Sequence, residues 1–396
     1  MTSHPACPSR ESVEVDGFTF PPFDLGRLLR TVFVLTPGES FGVFTDLPDP
    51  RAVARLRFLE APCLPARRHA YHTLYHGLLK QSKQLRLASA SFYAYRETGA
   101  SNLDLPASVF TPDGEELPLR DALARHGIVL FCGRFSATAP VTALAREMGF
   151  RGATLHGLND KVLATGLSVD YEQVSAHAER LRAAVDGAES VRMEWEVEGR
   201  PVVLDLDLRG VAAQKSHGLV REMGDVANLP AGEVYWVPAG AEGILPRKFE
   251  DPAGTIALFR VQQGRITGME RFVRGDRELV ERYLATIASD PHAGSITELG
   301  LGTQSLPFAG TDIQDEKILG TAHLATGRSD HLGGSVGPES FRHPQNASHD
   351  DILFSPPKTP EIPLRSVSML KSGHMSLLLD DGVRCRGKTA GNVIFR

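Results

Sequence analysis

Residues 315 to 334 read DEKILGTAHLATGRSDHLGG: two histidines, His323 and His331, stand among acidic residues and the stretch closes on a glycine pair. A short loop further on comes HDD, His349 to Asp351. Upstream, NLPAGEVYWVP carries Glu233 and ITELGLGT carries Glu298. Imidazole nitrogens and carboxylate oxygens are donors for divalent ions, and each of these residues stands beside a strand-like run with glycine nearby for close approach. In the 349 triplet the first and third residues share a strand face, so His349 and Asp351 can address one point. Two imidazoles and three carboxylates can thus supply ligands for one or two divalent metals, although each residue taken alone also reads as a surface charge.

The elements that position these groups belong to a chain of 396 residues with 42% apolar, 23% charged and 7% aromatic content, long enough for two domains with sizeable cores. A net charge of -5, from 43 basic and 48 acidic residues, gives no electrostatic case for nucleic acid or an anionic membrane. The polar first seventeen residues do not resemble a signal peptide, and no apolar run is long enough to span a bilayer. The four scattered cysteines (Cys7, Cys63, Cys132, Cys385) fit free thiols in a reducing cytosol. A cytoplasmic protein is expected, in which the sequon at Asn346 means little.

The first half alternates. TVFVL (31–35) and VFTDLP (43–48) read as strands, PRAVARLRFLE (50–60) as a helix entered through proline, and RRHAYHTLYHGLLKQS (67–82) as a helix. LRLASASFYAY is a further strand and LPLRDALARHG a helix, followed by the buried strand IVLFCG and helical VTALAREMG. The pattern predicts an N-terminal open α/β domain over residues 1–186. Beyond it, SVRMEWEVEGRPVVLDLDLRG (190–210) alternates apolar and polar residues around a turn, the mark of an antiparallel hairpin. Residues 187–396 are therefore expected to form a strand-rich domain of α+β type, while the helix at 171–187 fits either side. Among other features, the His72 and His76 pair reads as an ordinary helical face, Asp46 as a strand-end residue at a usual place for ligand contacts, and Tyr235 with Trp236 as packing under the site, with a substrate-facing role as the alternative.

Five motifs in order, NLPAGEVYWVPAGAEG, ELGLGTQ, DEKILGTAHLATG, HLGG and a later His-x-Asp, resemble the thermophilic aminopeptidase T (leucyl aminopeptidase) family of metallopeptidases. RGATLHGLNDKVLATGLSVDYEQV is similar to the segment preceding that family's metal domain, so the resemblance spans roughly residues 145 to 385. It implies a metal-binding domain with Glu233, Glu298, His323, His349 and Asp351 as ligands, with Glu233 and Glu298 in the catalytic set, and a homodimer. The metal would be zinc, cobalt, manganese or magnesium, the substrate a peptide. Two departures stand out. The family's tyrosine soon after the first ligand histidine is missing, since no tyrosine follows Tyr283, and Asp330 or His331 is the expected substitute as proton donor or additional ligand. The loop 335–348 is long and introduces His343 as a rival to His349.

Three functions follow from the resemblance. The first is a metallo-aminopeptidase-like hydrolase acting on peptide N-termini. The second is a catalytically weakened or inactive peptide-binding protein that presents a peptide to another enzyme. The third is an iron-dependent ring-cleaving dioxygenase on the same scaffold, against which Glu298 speaks, because a carboxylate stands where an imidazole is expected.

Overall fold

The computed structural model describes residues 12–60 and 62–380. Cys63 and Cys132 are free thiols, and Cys7 and Cys385 lie outside the described residues. The chain is mixed α/β with several sheets. No helix among the described residues is long and apolar enough to cross a membrane.

One seven-stranded sheet has the order Val226–Asn228, Arg151–Thr154, Ile128–Phe131, Ser40–Leu47, Ser89–Arg96, Ser108–Phe110, Glu116–Pro118. Its first five strands run parallel and the last two antiparallel. Parallel strands covered on both faces need apolar residues throughout, which is why Ile128–Phe131 is buried at every position. One face packs under Leu28, Val32, Leu74 and Leu78, the other under Val141 and Ala145 of the helix Thr138–Met148.

Two expected elements differ. TVFVL is not a strand: its first residues end the helix Leu25–Phe33, whose buried Leu25, Leu28, Leu29, Val32 and Phe33 follow the helical period, with the Asp24 side chain capping the Arg27 amide. PRAVARLRFLE does begin at proline, but it forms a 3-10 segment broken by non-helical dihedrals at Ala54, Arg55 and Leu56.

The second half packs two antiparallel sheets face to face. The larger has the order Arg265–Arg274, Ile256–Gln262, Gly240–Lys248, Arg200–Asp207, Ser190–Val197, Leu364–Lys371, His374–Asp380. The smaller has Gln214–Ser216, Glu233–Trp236, Ile296–Gly302, Ala322–Gly327, His349–Phe354. The hairpin 190–207 forms as expected, with Val191, Met193, Trp195 and Val197 turned into the shared core. From the smaller sheet Val234, Trp236, Leu299, Leu301, Leu324 and Phe354 meet them, and the Trp195 and Phe354 rings lie 4.9 Å apart.

The helix Tyr171–Val185 serves both halves: Tyr171 lies in the first core, Leu181 and Val185 in the second. The chain then returns, because Val226–Asn228 pairs with Arg151–Thr154 in the first sheet.

Candidate metal centre

Alternation along the smaller sheet sends its apolar residues into the core and leaves the other face for polar groups. On that face Glu298 and Asp351 both pair with Ala325, and Gly300 pairs with both Tyr235 and His323. Glu233 pairs with Gly302. A register shift between Ile296 and Glu298 marks a bulge, a device that re-aims a side chain. Gly300 leaves room for a ring: a Cβ there would lie 2.1 Å from His323 Cε1.

The five residues expected as ligands come together. His349 Nε2 is 3.0 Å from Glu298 Oε2 and 3.2 Å from Asp351 Oδ1. His323 Nε2 is 3.5 Å from Glu298 Oε1 and 3.7 Å from Glu233 Oε2. The ligand atoms of Glu233, Glu298 and His323 lie within 4.8 Å of one another, as do those of Glu298, His349 and Asp351, and those of Glu316, His323 and Asp351. His349 donates its Nδ1–H to the Arg328 carbonyl at 2.6 Å, which turns Nε2 toward the carboxylates.

Electrostatics follow from burial. Burial alone would raise Glu298, but hydrogen bonds to His323 and His349 hold its carboxyl well below the usual range. Burial disfavours charge on His323, yet the Glu298 hydrogen bond and the surrounding carboxylates push it up to about 10. His349 is likewise raised, against burial, by Asp351 and Glu298. A divalent ion would displace these ring protons. Its fit is tested by Glu233 Oε2, a buried carboxylate oxygen with no hydrogen-bond partner among the described residues. Such an atom is costly unless a cation or donor satisfies it, and metal–oxygen and metal–nitrogen bonds of about 2.0–2.2 Å suit donor atoms at these separations. The residues therefore fit a divalent metal.

His331 and Asp330 part company. His331 lies in the cavity wall with its ring 4.9 Å from that of His349, edge to face, while its Nδ1 is buried without a hydrogen bond. Asp330 is gripped by Arg328 at 2.6 and 3.0 Å and belongs to none of the ligand groups. His343 is exposed, its amide donating to Asp290 at 3.0 Å, and stands outside those groups too. Asp46 is spent on structure, bonded by Arg67 and by the Arg134 and Phe135 amides.

Sequence reasoning missed Glu316 and Lys317. Lys317, only 1% exposed, lies 2.6 Å from Glu233 Oε1 and 2.5 Å from Glu316 Oε1. Burial opposes its charge, but Glu233 and Glu316 raise it overall, and burial raises Glu316 in turn. The two readings of the aromatic pair divide between its members: Trp236 is buried in the core, and Tyr235 faces the site, donating to Gln214 Oε1 at 3.3 Å. Burial raises its phenol, with Glu298 and Glu233 adding and Arg146 opposing. These groups open onto a cavity of about 620 Å³. His156, His349 and Asp351 line this cavity and also a second one of about 1250 Å³.

No protein-family model matches the sequence, and no curated protein matches it. Two solved structures are similar over most of the chain. One is 2,5-dihydroxypyridine dioxygenase from Pseudomonas putida KT2440, with a TM-score of 0.57 and 15% identity over 90% of this chain and 95% of the other. Another is wild-type AmpT from Thermus thermophilus, with a TM-score of 0.53 and 14% identity over 90% of this chain and 96% of the other. At these identities the likeness is one of fold.

Proposed function

We propose that the chain is a metallo-aminopeptidase-like hydrolase that acts on peptide N-termini through a one- or two-metal site. The observation that supports this reading most is the make-up of the ligand groups: each of the three combines one imidazole with two carboxylates, and Glu298 is common to two of them. A shared carboxylate suits a pair of ions clamping a hydrolytic reaction. The likeness to AmpT, an aminopeptidase, supports the scaffold. The dioxygenase alternative has the same kind of support from its own neighbour. However, non-haem iron oxygenases use two histidines with one carboxylate, and none of the ligand groups among the described residues holds two imidazoles.

Glu233, Glu298, His323, His349 and Asp351 would hold one or two divalent ions (zinc, cobalt, manganese or magnesium), each within a group of one imidazole and two carboxylates, and such an ion would supply a water of lowered pKa and polarise the scissile carbonyl. Glu298, with one oxygen toward each imidazole, is placed to take the proton of the attacking water. Lys317 holds Glu233 in place. His331, rather than Asp330, takes the proton-donor role left open by the missing tyrosine, since Arg328 ties up Asp330. That missing tyrosine also supports the second reading, a peptide-binding protein with little or no turnover. Both peptide readings include a homodimer.

The test is elemental analysis of protein purified without added metal, followed by release of free amino acids from a mixed peptide pool. Co-purifying metal and a release that Glu298→Gln abolishes support the hydrolase. Peptide binding without turnover under any of the four metals sinks it in favour of the binder. Oxygen uptake with iron and a hydroxylated aromatic ring, without peptide binding, moves the function to the dioxygenase.

A further inference from the structure

Four lysines and arginines line the cavity that opens onto the centre: Arg146, Lys215, Arg221 and Lys317. Three are matched by acids. Lys317 lies between Glu233 and Glu316, Lys215 is 3.0 Å from Glu179, and Arg221 pairs with Glu172. Arg146 has no hydrogen-bond or ion-pair partner among the described residues. It stands in the last turn of the helix Thr138–Met148, where a cation suits the helix dipole. That placement explains a positive charge but leaves the guanidinium donors free. Its charge bears on Tyr235, as does that of Glu298, so an acidic metal centre and an unmatched guanidinium act on one ligand-sized space.

A volume of about 620 Å³ falls within the range of sites that enclose a single small ligand. A short peptide is a zwitterion whose ammonium end suits a carboxylate-rich centre and whose carboxylate suits an arginine, the side chain that matches carboxylate geometry with two parallel hydrogen bonds. We propose that Arg146 is a specificity-determining residue that binds a carboxylate of the substrate, so that the protein takes short peptides with a free carboxylate in preference to long or capped ones. This rests on the hydrolase reading and adds a second recognition point to it. The carboxylate is either the peptide's C-terminus or an acidic side chain near it.

The experiment uses the metal-loaded full chain and three tripeptides sharing an N-terminal leucine: a free acid, its C-terminal amide, and an amide with aspartate in third place. Wild-type protein is expected to show a KM about ten- to a hundredfold lower for the free acid than for the plain amide, the range of a charge-assisted hydrogen bond. Arg146→Ala and Arg146→Gln should erase that preference with kcat changed less than about threefold, and Arg146→Lys should keep part of it. Low KM for the aspartyl amide assigns the subsite to acidic side chains as well, and high KM confines it to the C-terminus. Equal KM for free acid and amide in wild type, or a preference that survives both neutral variants, overturns the proposal. Calorimetric binding of the same peptides to the Glu298→Gln protein separates the two readings. An Arg146-dependent preference in binding, with no wild-type turnover, sinks the hydrolase and leaves the subsite. Turnover without preference does the reverse.

Discussion

Glu298 and Asp351 flank Ala325 in one row across three strands, and the imidazole of His349 bridges them at 3.0 and 3.2 Å. Strand register therefore builds the centre: three neighbouring strands each contribute to one face, and the smallest side chain of the row lies between the two acids. A slip of one residue in any strand would turn its candidate ligands into the apolar core.

The same register makes Gly300 a sensitive position. Gly300→Ala should push the His323 ring aside, since the added carbon would meet it at 2.1 Å. Overpacking of this kind costs about 1–3 kcal/mol. The variant should also lose metal affinity, as should His323→Ala. Denaturant midpoints and metal titration check both, and wild-type affinity in the alanine variant would refute the role given to His323.

His349→Ala should abolish tight metal binding, while His343→Ala should leave it intact. Only His349 stands against Glu298 and Asp351; His343 is exposed beside Asp290. Metal retained per mole after dialysis is the readout, and the opposite ranking would displace the centre.

Lys317→Met removes a buried ammonium and leaves Glu233 and Glu316 facing each other uncompensated. Breaking a buried ion pair from one side costs about 3–5 kcal/mol, so the metal-free variant should unfold at markedly lower denaturant. Added zinc or manganese should stabilise the variant more than wild type, because the ion takes over the missing positive charge. Equal metal stabilisation of the two proteins counts against a cation beside Glu233.

A pH test can be made far from the centre. His126 is buried and hydrogen-bonded to the Tyr93 hydroxyl at 3.0 Å, and burial first, then Arg125, lowers its pKa to about 4. An unfolded histidine titrates near 6.5, so between pH 6.5 and 4 the unfolded chain binds the extra proton and stability falls as pH drops. The loss reaches up to about 2 kcal/mol by pH 5. His126→Gln, which keeps a hydrogen-bonding group without the titration, should flatten that part of the stability profile. An unchanged slope in the variant would assign the effect elsewhere.

What the sequence could show depended on whether a signal was local. The hairpin 190–207 was legible because alternation over eight residues on each arm has no helical reading. The five candidate ligands were legible through motif order, and the pairing of the strands that carry them brings them to one face of the smaller sheet. TVFVL was misread because its β-branched residues hide the end of a helical period that starts at Leu25. Glu316 and Lys317 escaped notice for another reason: an adjacent acid and base read as solvated charge, and their burial beside Glu233 arises only from the packing of distant segments.

The return of Val226–Asn228 to the first sheet has a consequence for how this chain can be cut or recombined. A fragment ending between residues 155 and 225 would keep Arg151–Thr154 but lose its outer neighbour, exposing a row of unpaired amides and carbonyls ready to pair with another molecule. A fragment starting after the helix Tyr171–Val185 would carry Val226–Asn228 as a strand without a sheet. The two halves are stitched rather than joined by a hinge, so they should express, crystallise and diverge as a pair, and swapping one for a homologous piece should yield aggregates instead of a chimera.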